Sequence, residues 1–274
     1  MQSHSHPLFK IIPIPAFEDN YIWLLHNGTE AIVVDPGDAT PVIDALQLLK
    51  LNLTTILITH HHHDHIGGVH ELMASYPNAK VYAPKKEKYA FNHTPIEEGD
   101  VVSCDTFNVV AEASNTQVLS TFNPLQFSVI DLPGHTLGHI AYYTLGILFC
   151  GDTLFGAGCG RLFEGTPAQM AASLQKLAEL PLNTKVYCTH EYTLHNLHFA
   201  MQYEPNNAAL NTRLKETLTL RAASQPSLPS NIALELASNP FLRCNSPEII
   251  KNLQLNNPDA ITVFTALRTA RNNY

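Results

Sequence analysis

Thr59-His60-His61-His62-His63-Asp64-His65-Ile66-Gly67-Gly68 sets five imidazoles and a carboxylate in six consecutive positions and closes on two glycines. It follows Thr55-Ile56-Leu57-Ile58, a β-branched apolar run that is short for a helix and reads as a buried strand. A strand that runs into a loop of ligands, with Gly-Gly opening a helix, builds a metal site on the rigid edge of a sheet. Imidazole nitrogen and carboxylate oxygen suit zinc and other borderline divalent ions. A histidine-rich run can also be a solvated loop that binds metal incidentally, so the reading turns on whether other ligands join it.

Around this stretch, short apolar runs alternate with punctuation. Tyr21 to Leu25 and Ala31 to Val34 read as paired strands turning at Asn27-Gly28. Asp35-Pro36-Gly37-Asp38 breaks the sheet before a helix-spaced segment, Val42 to Leu51, and a second helix is expected near Val69 to Tyr76, with a strand from Val81. The pattern then repeats loosely. Val101 to Ala113 and Phe127 to Leu132 read as strands, and Ser114 to Pro124 between them as a polar surface loop. Ile140 to Tyr143 and Ile147 to Cys150 are strand-like, Pro167 to Leu180 is helix-patterned, and Val186 leads to Thr189-His190-Glu191. After about Tyr192 only helical patterns remain, at Leu194 to Tyr203, Asn207 to Ala223 and Pro258 to Arg271, with a loop at Gln225 to Ser230.

Histidines and aspartates recur where strands give way to loops, where α/β folds keep their chemistry. Collected by context, the candidate ligands are His60, His62, Asp64, His65, His135, Asp152 and His190. Singly, His135, Asp152 and His190 would each be a turn former or a hydrogen-bonded structural residue. Together, each at its own strand end, they form a ligand set. One ion takes about four ligands, so the set approaches two ions if one carboxylate bridges. Asp152, preceded by Gly151, is the candidate bridge.

The 274 residues fit one large domain or a domain with a smaller companion, and 45% hydrophobic content fits a globular core. A net charge of −8, from 16 basic and 24 acidic residues, argues against a nucleic-acid partner. The five cysteines are scattered, with no Cys-x-x-Cys pair, which favours reduced thiols and a cytoplasmic setting. Met1 to Pro7 lacks the pattern of a signal peptide, and no apolar run reaches membrane-spanning length, so no membrane partner is expected.

His60-x-His62-x-Asp64-His65, with His135, Asp152 and His190, resembles the ligand pattern of the metallo-β-lactamase superfamily. Within it, the chain is similar over nearly its whole length to the hydroxyacylglutathione hydrolases (glyoxalase II). The narrower signals are Gly158-Cys159-Gly160-Arg161-Leu162-Phe163-Glu164-Gly165-Thr166 and His190-Glu191-Tyr192-Thr193. The resemblance implies an α/β fold, an αββα sandwich with a smaller, mostly helical C-terminal domain. It implies a catalytic domain at 1–190 and a substrate-binding domain at 191–274.

The resemblance further implies two divalent ions per chain, zinc foremost and iron or manganese as alternatives. The first would take His60, His62 and His135, the second Asp64, His65 and His190, with Asp152 bridging. His61 and His63 match no ligand position and are expected to face solvent or the loop backbone. His139 is expected to be a packed, hydrogen-bonded core residue. Asp35 reads either as a turn former or as a partner that orients a ligand histidine.

The implied reaction is hydrolysis of S-D-lactoylglutathione to glutathione and D-lactate by a hydroxide held between the ions, with Asp64 and Asp152 as catalytic residues. Substrate contacts map onto Arg161, Phe163, Tyr192, Arg268 and Arg271, and the chain is expected to act as a monomer. Phe163 stands where some members carry Tyr, and Arg161 and Arg271 where Lys is common. The competing readings are a mononuclear-iron persulfide dioxygenase of the same superfamily and a catalytically silent metal-binding member.

Overall fold

The computed structural model describes residues 9–111 and 121–274. The chain divides into two compact units, Met1–Val129 and Ile130–Tyr274.

In the first unit the elements run β1 (Lys10–Ala16), β2 (Asn20–His26), β3 (Glu30–Val34), α1 (Ala39–Leu49), β4 (Asn52–Leu57), α2 (His63–Ile66), α3 (Val69–Ser75), β5 (Lys80–Pro84), β6 (Thr94–Ile96) and β7 (Val101–Ala111), and β8 (Thr121–Asp131) crosses its end. Strands β1 to β6 form a sheet in sequence order. The first two pairings are antiparallel, and β3, β4, β5 and β6 then pair in parallel. Strand β2 is buried along nearly its whole length, as expected of a strand covered on both faces. Leu24, Val33 and Ile56 come from neighbouring strands and are 0% exposed; each contributes roughly 1.5–3 kcal/mol by burial. Helix α1 starts where Asp38 accepts a hydrogen bond from the Thr40 amide and ends at Lys50 in the left-handed region, φ 55°.

One element stands outside the sequence reading, and one expectation is corrected. Strand β1, with Pro13 and Pro15, was not anticipated; it lies at the sheet edge, where a missing amide donor is tolerated. The loop expected over Ser114 to Pro124 lies mainly outside the described residues, but from Thr121 onward the chain is already strand. Thr121 pairs with Ala111 and Pro124 with Asn108, so the antiparallel ladder with β7 overrides the polar composition.

In the second unit the order is β9 (Ile140–Thr144), β10 (Ile147–Gly151), β11 (Leu154–Phe155), β12 (Gly158–Cys159), α4 (Pro167–Ala178), β13 (Lys185–Cys188), α5 (Thr193–Tyr203), α6 (Ala208–Ala222), β14 (Ser230–Asn231), α7 (Ile232–Ser238), a 3₁₀ turn at Pro240–Leu242, α8 (Pro247–Asn252) and α9 (Ala260–Asn272). Strand β10 is central, antiparallel to β9 and parallel to β13, and β14 closes on β13. Helix α4 opens on a capping box, with Thr166 and Gln169 satisfying each other's amides and Pro167 in the first turn. The β14 dipeptide occupies the end of what reads as loop in the sequence. Among the described residues no helix is long and apolar enough to cross a membrane.

Candidate metal centre

In the first unit, β3 and β4 run in parallel, which brings the residue after β3, Asp35, beside Thr59 at the end of β4. The Thr59 amide donates to Asp35 Oδ1 at 2.7 Å, and its hydroxyl donates to Oδ2 at 2.8 Å. With its proton so directed, Thr59 Oγ1 accepts from His60 Nδ1 at 3.1 Å, which turns His60 Nε2 toward His62 Nδ1, 3.1 Å away. At that separation either one nitrogen carries a proton or both address the same cation.

His65 is fully buried, with Nδ1 3.1 Å from Asp35 Oδ2 and Nε2 3.6 Å from Asp64 Oδ2. A carboxylate on one ring nitrogen fixes the tautomer and raises the basicity of the other. Asp35, left open between two readings in the sequence, thus orients two ligand candidates. Asp64 accepts from Asn20 Nδ2 at 3.0 Å, a contact across 44 positions that no local pattern announces. Gly37 is required here, because a Cβ would stand 2.0 Å from the Asp64 carbonyl oxygen. His61 is partly exposed, with Nδ1 3.2 Å from Glu87 Oε2, and His63 is exposed.

In the second unit, β10 ends at Gly151, φ 46°, and delivers Asp152. Asp152 Oδ2 lies 3.4 Å from His135 Nε2 and 3.3 Å from His190 Nε2, so one carboxylate oxygen faces both histidines. His135 donates from Nδ1 to the Arg161 carbonyl at 2.7 Å, and its own carbonyl accepts from the Phe163 amide at 3.2 Å. The His190 ring stacks on Tyr192 at 4.7 Å with an interplanar angle of 3°. His139 is buried as expected, and accepts the Asp152 amide at Nε2. These are the donor types and spacings of a divalent-metal site.

A cavity of about 350 Å³ in this unit is lined by His135 and Asp152 together with Arg161, Phe163, Tyr192, Arg268 and Arg271, among others. Arg161 and Phe163 are exposed. Arg268 is buried and spends its guanidinium on the Cys159 carbonyl at 2.7 Å and on Asn272 Oδ1 at 3.1 Å. Arg271 donates from Nε and Nη2 to Asn196 Oδ1 and lies against the rings of Phe199 and Tyr274.

A sequence model described as "Metallo-beta-lactamase superfamily" matches residues 16–190, and one described as "Hydroxyacylglutathione hydrolase C-terminus" matches 191–274. The hydroxyacylglutathione hydrolase of Methylobacillus flagellatus is 54% identical over 97% of this chain and 100% of its own length. The chain belongs to the hydroxyacylglutathione hydrolase family. The hydroxyacylglutathione hydrolase of Aeromonas hydrophila is 46% identical over 96% of this chain and 98% of its own.

Among solved structures, ETHE1 from Myxococcus xanthus aligns with TM-score 0.60 and 25% identity, covering 96% of this chain and 98% of its own. The BLEG-1 B3 metallo-β-lactamase aligns with TM-score 0.56 and 26% identity, over 85% and 99%. The fold is the metallo-β-lactamase fold, with the hydroxyacylglutathione hydrolase C-terminal region following it.

Proposed function

We propose that this chain hydrolyses the thioester of S-(2-hydroxyacyl)glutathiones, S-D-lactoylglutathione foremost, to glutathione and a 2-hydroxy acid, the second step of methylglyoxal detoxification. The observation that carries the reading is the cavity in which three arginines and Tyr192 share walls with His135 and Asp152. Glutathione is anionic, and guanidinium groups match its carboxylates in charge and geometry. The names of the full-length relatives support the hydrolase over the oxygenase reading.

In this reading His60, His62 and His135 hold one ion, Asp64, His65 and His190 the other, and Asp152 serves both. Divalent ions held by such donors lower the pKa of water to about 7 and polarise a carbonyl. Within the chain, Asp35 acts through Thr59 on the tautomer of His60 and sets its carboxylate against His65 Nδ1, the Arg161 carbonyl fixes the tautomer of His135, and Asn20 orients Asp64. A thiolate leaves readily, so no general acid is assigned. Cys159 lines the cavity, but burial pushes its thiol up even with Arg268 beside it, which argues against a cysteine nucleophile.

Arg161, Tyr192, Arg268 and Arg271 are assigned to the glutathione moiety, and Phe163 adds an apolar wall without a hydroxyl. Residues 1–190 form the catalytic domain and 191–274 the substrate-binding domain of a cytoplasmic monomer, zinc being the resident metal. All five cysteines are buried thiols outside any disulfide, in keeping with a reducing compartment. The test is hydrolysis of S-lactoylglutathione before and after chelation, with metal content measured on the same sample. Chelator-sensitive turnover with close to two ions per chain is expected. Metal binding without turnover would remove glutathione thioesters as substrates.

A further inference from the structure

Residues 154–159 form the hairpin β11–β12, in which Ala157 takes a left-handed conformation, φ 55°. The backbone of this hairpin and of Gly160 is held largely by side chains from the C-terminal helical region. Asn239 Nδ2 donates to the carbonyls of Gly158 at 2.9 Å and Phe155 at 3.3 Å, and Asn196 Nδ2 to that of Gly156 at 3.0 Å. Arg268 Nη1 donates to the carbonyls of Cys159 and, at 3.5 Å, Gly160. The Ala157 amide donates to Glu235 Oε2 at 2.9 Å, and the same oxygen accepts from Asn239 Nδ2 at 3.0 Å. Glu235 and Asn239 are both 0% exposed, and Glu235 is ion-paired with the buried Arg213.

What this hairpin leads into gives the arrangement its consequence. The Gly160 amide donates to the Thr153 carbonyl at 3.2 Å, and a Cβ on Gly160 would stand 1.9 Å from the Asp152 carbonyl oxygen. The next carbonyl, of Arg161, is the acceptor that sets His135 Nδ1. A shift at Gly158 therefore reaches Asp152 and His135 within three residues.

We infer that Asn239, seated on Glu235, is a positioning residue for the metal centre. It holds the hairpin so that Asp152 and His135 keep the geometry in which both face one cation. It touches no substrate, being fully buried and outside the cavity lining. The inference rests on the reading of Asp152 and His135 as metal ligands. Partners that orient metal ligands change metal affinity when removed, typically by about 10–100-fold. A side chain that only stabilises the fold lowers the melting temperature and leaves affinity alone.

The experiment is zinc binding by chelator competition on the full chain, comparing wild type, Asn239→Ala and Leu177→Ala. Leu177 is a buried apolar residue of α4 that makes no hydrogen bond to the hairpin through its side chain, so its truncation serves as the destabilised control. Asn239→Ala is expected to raise the zinc Kd about tenfold or more. At limiting zinc its kcat falls with an unchanged KM for S-lactoylglutathione, while Leu177→Ala keeps the wild-type Kd. An unchanged Kd in Asn239→Ala beside zinc-binding wild type would overturn this inference alone. Wild type that binds no zinc would remove the metal reading and this inference with it.

If Asn239→Ala does not fold, amide exchange on metal-free wild type decides. The Ala157 and Gly160 amides are expected to be protected without zinc, because Glu235 Oε2 and the Thr153 carbonyl already accept them. Protection that appears only on adding zinc would overturn the inference.

Discussion

The backbone amide of Asp152 donates to Nε2 of His139 at 3.1 Å, and Thr153 Oγ1 lies 3.3 Å from the other ring nitrogen. Nε2 must be unprotonated to accept, so His139 is a neutral imidazole with its proton on Nδ1, directed at Thr153. A histidine that matches no ligand position thus fixes the backbone of the residue that faces both His135 and His190.

His139→Leu removes this acceptor and strands a buried amide, a loss of about 1–3 kcal/mol. Urea unfolding is expected to show that loss, and metal analysis a lower occupancy. Wild-type stability and metal content together would show that Asp152 needs no such anchor.

Asp35→Asn is an informative probe in the first unit, because asparagine tolerates the left-handed backbone Asp35 adopts at φ 52°. Shape is kept while the charge opposite His65 Nδ1 is lost. Metal affinity is expected to fall about tenfold, with turnover recovering as metal is added. Turnover that stays low at saturating metal would place the role of Asp35 in folding or in the chemical step.

The strands flanking the histidine run, the Asn27-Gly28 hairpin and the C-terminal helices were legible because their signals are local, carried by period and punctuation over a few residues. The ligand candidates were legible for a related reason: each stands at a strand end. What the sequence did not disclose are contacts between distant positions. Asn20 reaches Asp64 across 44 residues, and Asn239 reaches Gly158 across 81. Neither asparagine differs locally from a turn former or a cap, and Asn239 does also cap the Phe241 amide. Arg268 was readable as a cation on a helix, but not as one already committed to the Cys159 carbonyl.

That commitment changes what Arg268→Ala should do. A guanidinium used only for substrate would affect KM alone. Arg268 also holds the Cys159 carbonyl, whose neighbours adjoin Asp152, so both a raised KM and a lowered kcat are expected. Steady-state kinetics on S-lactoylglutathione at saturating zinc separate the cases. An unchanged kcat would confine Arg268 to the substrate.

Glu204 gives the second unit a defined acid sensitivity. Burial raises its pKa, but hydrogen bonds from Arg243, Ser246 and Asn207, with the Arg243 charge, outweigh burial and hold it below the ordinary 4.5. Arg243 meets it with two nitrogens, at 2.8 and 2.7 Å. A carboxyl whose folded pKa is depressed contributes stability that is fully present above its unfolded pKa and disappears as pH falls through the folded value. The unfolding free energy should therefore decline below about pH 4.5 more steeply in wild type than in Glu204→Gln. At neutral pH the variant should already be less stable, by roughly 1 kcal/mol or more, since the ion pair is replaced by bonds from a charged guanidinium to a neutral amide. Parallel pH profiles for the two proteins in denaturant unfolding would show that Glu204 titrates alike in the folded and unfolded chain, and the pair with Arg243 would then hold geometry without contributing to acid sensitivity.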